Sequence, residues 1–230
     1  NIPPNTAGLS YSIIDVASAE EVITAINQFT GKVLVFDCHG MYMPETHSSA
    51  LQIGDGFSTS ALRGRVRMPP IVLLSACDTH VFEGTMDSAA NGLLWAEAVT
   101  VLGTSFPVEG LHSAGWIANL LYWCCYALPA LLHSSDTTLR WNQLVAWAQR
   151  VEYCHEIVRE IASSEFHQGM SSSIVEGALL AGFDFSDWFD RVLTYVADRT
   201  GLEYAVLCRA VSSHWQSFPQ SLRYVQLGNP

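Results

Sequence analysis

The sequence predicts an α/β fold with a mainly parallel sheet between helices and a mostly helical C-terminal extension. Two short apolar runs, VLVFD at 33–37 and IVLLS at 71–75, have the length and composition of buried parallel strands. A helical pattern at 19–29 precedes the first strand by a short connection, as in α/β proteins. We therefore assign residues 1–132 to an α/β core and residues 133–230 to a helical extension that completes or flanks it.

The N-terminal third of the core contains a helix and a hairpin. Ser18 followed by Glu21 resembles a capping box, and it opens the helix over 19–29. After the first strand, alternating residues meet the turn signal Gly54-Asp55-Gly56. This pattern predicts a β-hairpin or flap over 41–58.

The rest of the core alternates between helix and strand. We expect a helix over 87–98, a third core strand over 99–106 and a long apolar helix over 110–132. The uncharged stretch 116–132 contains an asparagine and a proline and is short for a membrane span. We interpret it as a buried helix, with no membrane contact.

The extension has a different pattern. Residues 139–163 have the apolar spacing of an amphipathic helix, and 186–199 predict another helix. Residues 202–211 fit a late strand or a short helix, and periodicity does not decide between them.

Composition limits the partners and the compartment. The net charge of −11 disfavours direct nucleic-acid contact, because phosphate binding needs a surplus of Lys and Arg. The six cysteines show no regular disulfide spacing, which favours a reducing, cytoplasmic compartment. We expect no cofactor. Because the chain begins with Asn1, we also expect it to be a fragment of a longer polypeptide.

Chemically reactive residues follow two of the predicted strands. His39-Gly40 follows the first strand, and Ser75-Ala76-Cys77 ends the second. The carboxyl ends of parallel strands meet at one edge of a sheet, where ligands bind in open α/β folds. A cysteine thiolate is a nucleophile and a histidine can be its base, so His39 and Cys77 are candidates for a nucleophilic pair.

These motifs resemble a known family. The chain carries Asp37-Cys38-His39-Gly40 and Leu74-Ser75-Ala76-Cys77-Asp78-Thr79. It is similar over about residues 10–132 to the CHAT domain, a caspase-like cysteine peptidase module that often follows tetratricopeptide repeats in bacterial proteins.

The resemblance implies a caspase-like fold and a Cys/His dyad endopeptidase that cleaves a protein substrate. Cys77 would be the nucleophile, His39 the acid/base, and the backbone N–H groups of Gly40 and Cys77 the oxyanion hole. Asp37 and Asp78 would line a substrate pocket for Lys or Arg. The peptidase would be gated by a sensor region or partner protein absent from this fragment, in a bacterial defence or signalling system.

Alternatives remain open at this point. Asp37 and Asp78 are also suited to capping a helix or orienting a loop, and Met41, Met43 and Phe106 suit an apolar substrate pocket. The domain could be a catalytically silent interaction module. A zinc-binding regulatory domain is a third hypothesis, with the ligand candidates Cys38, His39, His47, Cys77 and His80.

Overall fold

The fold is seen in a computed structural model, which describes residues 10–45, 48–77, 79, 88–134, 140–163, 177, 187–216 and 218–229. These residues form six helices, six strands and two short 3-10 turns, at Thr59–Leu62 and Gln220–Arg223. The helices are α1 (Ala19–Gln28), α2 (Ala89–Trp95), α3 (Gly110–Ser134), α4 (Trp141–Ser163), α5 (Trp188–Thr200) and α6 (Tyr204–Trp215). The strands are β1 (Val33–Asp37), β2 (Gly40–Met43), β3 (Ser48–Leu51), β4 (Ile71–Ser75), β5 (Thr100–Thr104) and β6 (Tyr224–Gly228).

The main sheet has four strands in the order β1-β4-β5-β6. The first three are parallel and β6 is antiparallel, so the predicted α/β class with a mainly parallel sheet is confirmed. Asp37 at the end of β1 lies opposite Ser75 at the end of β4, so the two strands end at the same level. The separate pair β2-β3 is the hairpin predicted between them.

Helices pack on both faces of the sheet because β4 is apolar at every position but its last. Val72 and Leu74 share one buried cluster with α1 and α2, to which α1 contributes Val22, Ile23 and Ile26. Side chains alternate along a strand, so Leu73 and Ser75 point to the opposite face. There the Ser75 hydroxyl lies 3.1 Å from the hydroxyl of Ser113 on α3.

The chain divides into two compact units, residues 1–142 with 223–230, and residues 143–222. In the second unit, residues of α4, α5 and α6 share a buried core made of Tyr153, Cys154, Ile157, Val192, Leu193, Val196, Leu207 and Val211. The undecided segment 202–211 is helical from Tyr204 onward, as the start of α6. The chain then returns to the first unit, where β6 pairs with β5; the sequence predicts no strand at this position.

None of the helices seen in the described ranges is long and apolar enough to cross a membrane.

The end of α2 carries backbone strain, which gives a first prediction. Glu97 follows the helix with a left-handed φ of 76°, and its side chain is exposed. This conformation disfavours a β-carbon but suits glycine. We expect Glu97→Gly to raise the free energy of unfolding by about 0.5–1 kcal/mol, measured by urea denaturation.

The matched control is Glu97→Ala, which removes the carboxylate but keeps the β-carbon. An alanine variant more stable than the glycine variant would show that the backbone at this position is not strained, because glycine loses more conformational entropy on folding.

Candidate functional site

The segments that follow β1 and β4 pack directly against each other. A β-carbon added at Gly40 would overlap the carbonyl oxygen of Cys77 and would lie 2.7 Å from its carbonyl carbon and 3.2 Å from its nitrogen. The Cys38 N–H donates to Ser75 O at 3.3 Å, which extends the parallel pairing beyond the strands. The residues on either side of His39 are therefore held against the segment that ends in Cys77, at the carboxyl edge of the sheet.

The backbone of His39 is fixed from the hairpin. Its carbonyl oxygen accepts a hydrogen bond of 2.7 Å from the N–H of Gln52, just after β3. The His39 residue is exposed, whereas Cys77 is half-buried.

Buried hydroxyl groups hold the turn that carries Cys77. The Thr104 hydroxyl donates to Ala76 O at 2.8 Å, and the Thr104 N–H donates to the Thr79 hydroxyl at 2.9 Å. The Ser49 hydroxyl donates to Thr79 O at 3.4 Å. Both threonines are fully buried. The last residue of the LSACDT motif is therefore a structural anchor for the turn.

The Cys77 thiol is bonded to the backbone of one residue on the next loop. Its Sγ donates to Val108 O at 3.2 Å, and the Val108 N–H donates to Sγ at 3.4 Å. Among the contacts of the described residues, no hydrogen bond joins the thiol to the His39 imidazole. The two residues are neighbours, but their side chains are not paired in this structure.

The residues proposed for a substrate pocket differ in how far they are described. Asp37 is exposed at the end of β1, two residues before His39. Met41 and Met43 are half-buried on β2, and Phe106 is exposed on the loop that contacts the thiol. Asp78 lies outside the described residues, so the prediction that it binds substrate stays a prediction.

Four other thiols are poor nucleophiles at neutral pH. Burial, with the nearby Asp37 carboxylate second, raises the pKa of Cys38 to about 11. Burial, assisted by the neighbouring Cys125, raises the pKa of Cys124 to about 11. Burial also raises the pKa of Cys125 and takes that of Cys154 to about 12. Reagents that need a thiolate will therefore discriminate against these four positions.

The part of the chain that the structure describes holds no group of three or more His, Cys, Asp or Glu side chains suited to a metal ion. Of the five zinc-ligand candidates, His47 and His80 lie outside the described residues.

Two contributors to the site are not predicted by the sequence motifs. Val108 acts through its backbone, which leaves no characteristic side chain to find. Thr104 ends the third core strand at the same edge as Cys77, so its position at a predicted strand end was the available signal.

Comparisons with known proteins give no further identification: no protein-family model matches this chain, and no curated protein matches it.

Proposed function

We propose that this chain is a caspase-like cysteine endopeptidase of the CHAT type, with Cys77 as nucleophile and His39 as acid/base. The observation that carries the proposal is the direct packing of Gly40 against the backbone of Cys77. It puts a histidine and a cysteine on touching segments at the carboxyl edge of a parallel sheet, where ligands bind in α/β folds. The LSACDT and His-Gly motifs point to the same pair.

The chemistry is acyl transfer. His39 takes the proton of the Cys77 thiol, and the sulfur attacks the carbonyl carbon of the scissile peptide bond. A C–S bond forms, and the carbonyl oxygen takes the electron pair and is stabilised by the N–H groups of Gly40 and Cys77. The intermediate expels the amine, which receives the proton from His39. Water, deprotonated by His39, then hydrolyses the thioester and frees the sulfur.

The charge of the chain favours a basic substrate segment. The net charge is −11, and Asp37 is exposed at the end of β1, two residues before His39. A Lys or Arg of a protein substrate would gain a favourable electrostatic interaction there. Gating would come from a sensor region or a partner protein, since the thiol must first leave Val108. We propose a role in a bacterial defence or signalling system, in the cytoplasm and without direct nucleic-acid contact.

The pair can be tested by alkylation with iodoacetamide at pH 7.5, with the modified cysteine identified by peptide mapping. We expect Cys77 to react faster than Cys38 and Cys124, whose pKa of about 11 leaves roughly one thiolate in 3,000 at that pH. His39→Ala should slow the reaction of Cys77 at least about tenfold, because the base is lost.

The matched control is His155→Ala, which removes a half-buried histidine of α4 in the second unit and should leave the rate at Cys77 unchanged. Fluorogenic peptides with Lys, Arg or Leu before the scissile bond then test hydrolysis, with Cys77→Ala as the inactive reference. Equal alkylation of Cys77 with and without His39 would exclude the dyad.

A second candidate is a catalytically silent interaction module with a caspase-like scaffold. The observation that favours it is the bonding of the thiol to Val108 and not to His39. The silent module predicts that Cys77 reactivity is independent of His39 under every condition.

A further inference from the structure

We infer that residues 105–109 form an inhibitory latch on the Cys77 thiol and that Arg223 locks it. The inference rests on the proposed peptidase function and adds to it the means by which the site is held inactive.

Both hydrogen bonds of the Cys77 sulfur are made with the backbone of Val108. The thiol hydrogen is directed at Val108 O, while the Val108 N–H occupies a lone pair of the same sulfur. Sulfur is a weak donor and a weak acceptor, so this pair of bonds uses the hydrogen-bonding capacity that it has. A proton that is shared with Val108 O is not available to His39, and a sulfur held against Val108 is not directed at a substrate. Cys77 must leave Val108 before the reaction can begin.

The loop that carries Val108 is held by Arg223. Arg223 bonds to the latch at two points: its guanidinium Nη1 donates to Pro107 O, and its carbonyl oxygen accepts from the Ser105 N–H at 2.8 Å. Proline has a fixed φ, so anchoring the Pro107 carbonyl also fixes the direction in which the chain enters Val108. The position of Val108 against the thiol therefore depends on a residue more than 110 positions away in the sequence.

Arg223 lies at the start of the edge strand β6. It ends the 3-10 turn Gln220–Arg223 and immediately precedes β6, whose first residue Tyr224 pairs with Thr104. It is also the first residue of the first unit after the chain leaves residues 143–222. β6 is an edge strand, and an edge strand is the part of a sheet most accessible to a partner. A displacement of the start of β6 would withdraw Arg223 and release the latch.

The test is the alkylation rate of Cys77 by iodoacetamide at pH 7.5 in Arg223→Ala. We expect an increase of about tenfold over the wild type, because loss of the guanidinium hydrogen bond to Pro107 O exposes the thiol more often, while the backbone bond from Ser105 to residue 223 remains. Arg223→Lys keeps the charge and an N–H donor group of different geometry, and we expect an intermediate rate. Pro107→Gly loosens the latch without altering Arg223, and it should also accelerate the reaction.

Two control variants separate this effect from loss of stability. Arg65→Ala removes an exposed arginine that is paired with Glu20, and Thr100→Val removes the side-chain bond from β5 to Leu227 O at the other end of β6. Neither variant should change the rate at Cys77. If Arg223→Ala does not fold, the alkylation rate of Cys77 in Pro107→Gly decides whether residues 105–109 restrain the thiol.

A second mutation distinguishes failure of the latch from failure of the peptidase. His39→Ala is combined with Arg223→Ala, and the alkylation rate of Cys77 is measured in the wild type, the two single variants and the double variant. Dependence on His39 without acceleration by Arg223→Ala and Pro107→Gly would overturn the latch and keep the dyad. Acceleration without dependence on His39 would keep the latch and overturn the dyad. A slower reaction in Arg223→Ala would show that Val108 assists the thiol, and it would overturn the latch.

Discussion

Replacement of Gly40 by alanine will destabilise the first unit by more than about 3 kcal/mol, because the added β-carbon meets backbone atoms that cannot move independently. The β-carbon would overlap Cys77 O and lie 2.7 Å from the carbonyl carbon. Two constraints oppose relaxation. The parallel pairing of Asp37 with Ser75 holds the ends of β1 and β4 together, and the pairing of Gly40 with Leu51 holds the hairpin.

The measurement is urea unfolding followed by tryptophan fluorescence, together with the alkylation rate of Cys77 in the folded variant. The matched control is Gly115→Ala. Gly115 is exposed inside α3, and an added β-carbon there meets no atom within 4 Å. We expect this control to be more stable than the wild type by about 0.5–1 kcal/mol, since alanine is the better helix former.

Wild-type stability of Gly40→Ala would contradict the close approach of the two segments. Because that approach carries the proposed function, the same result would also remove its main structural support.

The strands that carry the candidate site could be predicted because their signal is local. VLVFD and IVLLS are short, mainly apolar runs, and their ends coincide with β1 and β4. The placement of His39 and Cys77 at one edge follows from parallel pairing alone. No comparable signal marks the thiol's bond to Val108, because both of its hydrogen bonds use backbone atoms, which every residue type supplies.

The elements that were not predicted depend on distant contacts. β6 is a five-residue edge strand, and it is defined by pairing with β5 more than 100 residues earlier. Its own sequence, YVQLG, is interrupted by a glutamine and ends in a glycine, so it lacks the continuous apolar run that marks β1 and β4. Residues 202–211 fit two structures until packing is known, and the buried Leu207 and Val211 then lie one helical turn apart in the same cluster as Val192 of α5.

The second large effect is expected in the second unit, from Glu156→Ala. Glu156 on α4 is buried, and both of its carboxylate oxygens are used: Oε2 accepts from the Gln220 N–H at 3.1 Å and Oε1 from the Ser221 N–H at 2.6 Å. These N–H groups begin the 3-10 turn and, as at the start of any helical turn, have no acceptor within it. Hydrogen bonds to a charged group are about twice as strong as neutral ones.

Removing the carboxylate leaves two N–H donors that have lost a charged acceptor, one of them on the buried Ser221. We expect the free energy of unfolding of residues 143–222 to fall by about 3 kcal/mol in the whole chain. Amide hydrogen exchange at 220 and 221 should become faster by a factor that corresponds to a similar free energy, and this result would assign the lost stability to these two hydrogen bonds.

The control is Glu203→Ala, at an exposed position before α6, which should change the free energy of unfolding by less than about 0.5 kcal/mol. Unchanged exchange at 220 and 221 in Glu156→Ala would show that the turn is held by other contacts and that the carboxylate is dispensable. Glu156→Gln separates the effect of the charge from that of the side-chain shape. Its amide supplies one acceptor oxygen but turns an N–H donor towards the second backbone N–H. We therefore expect Glu156→Gln to recover less than half of the stability that Glu156→Ala loses.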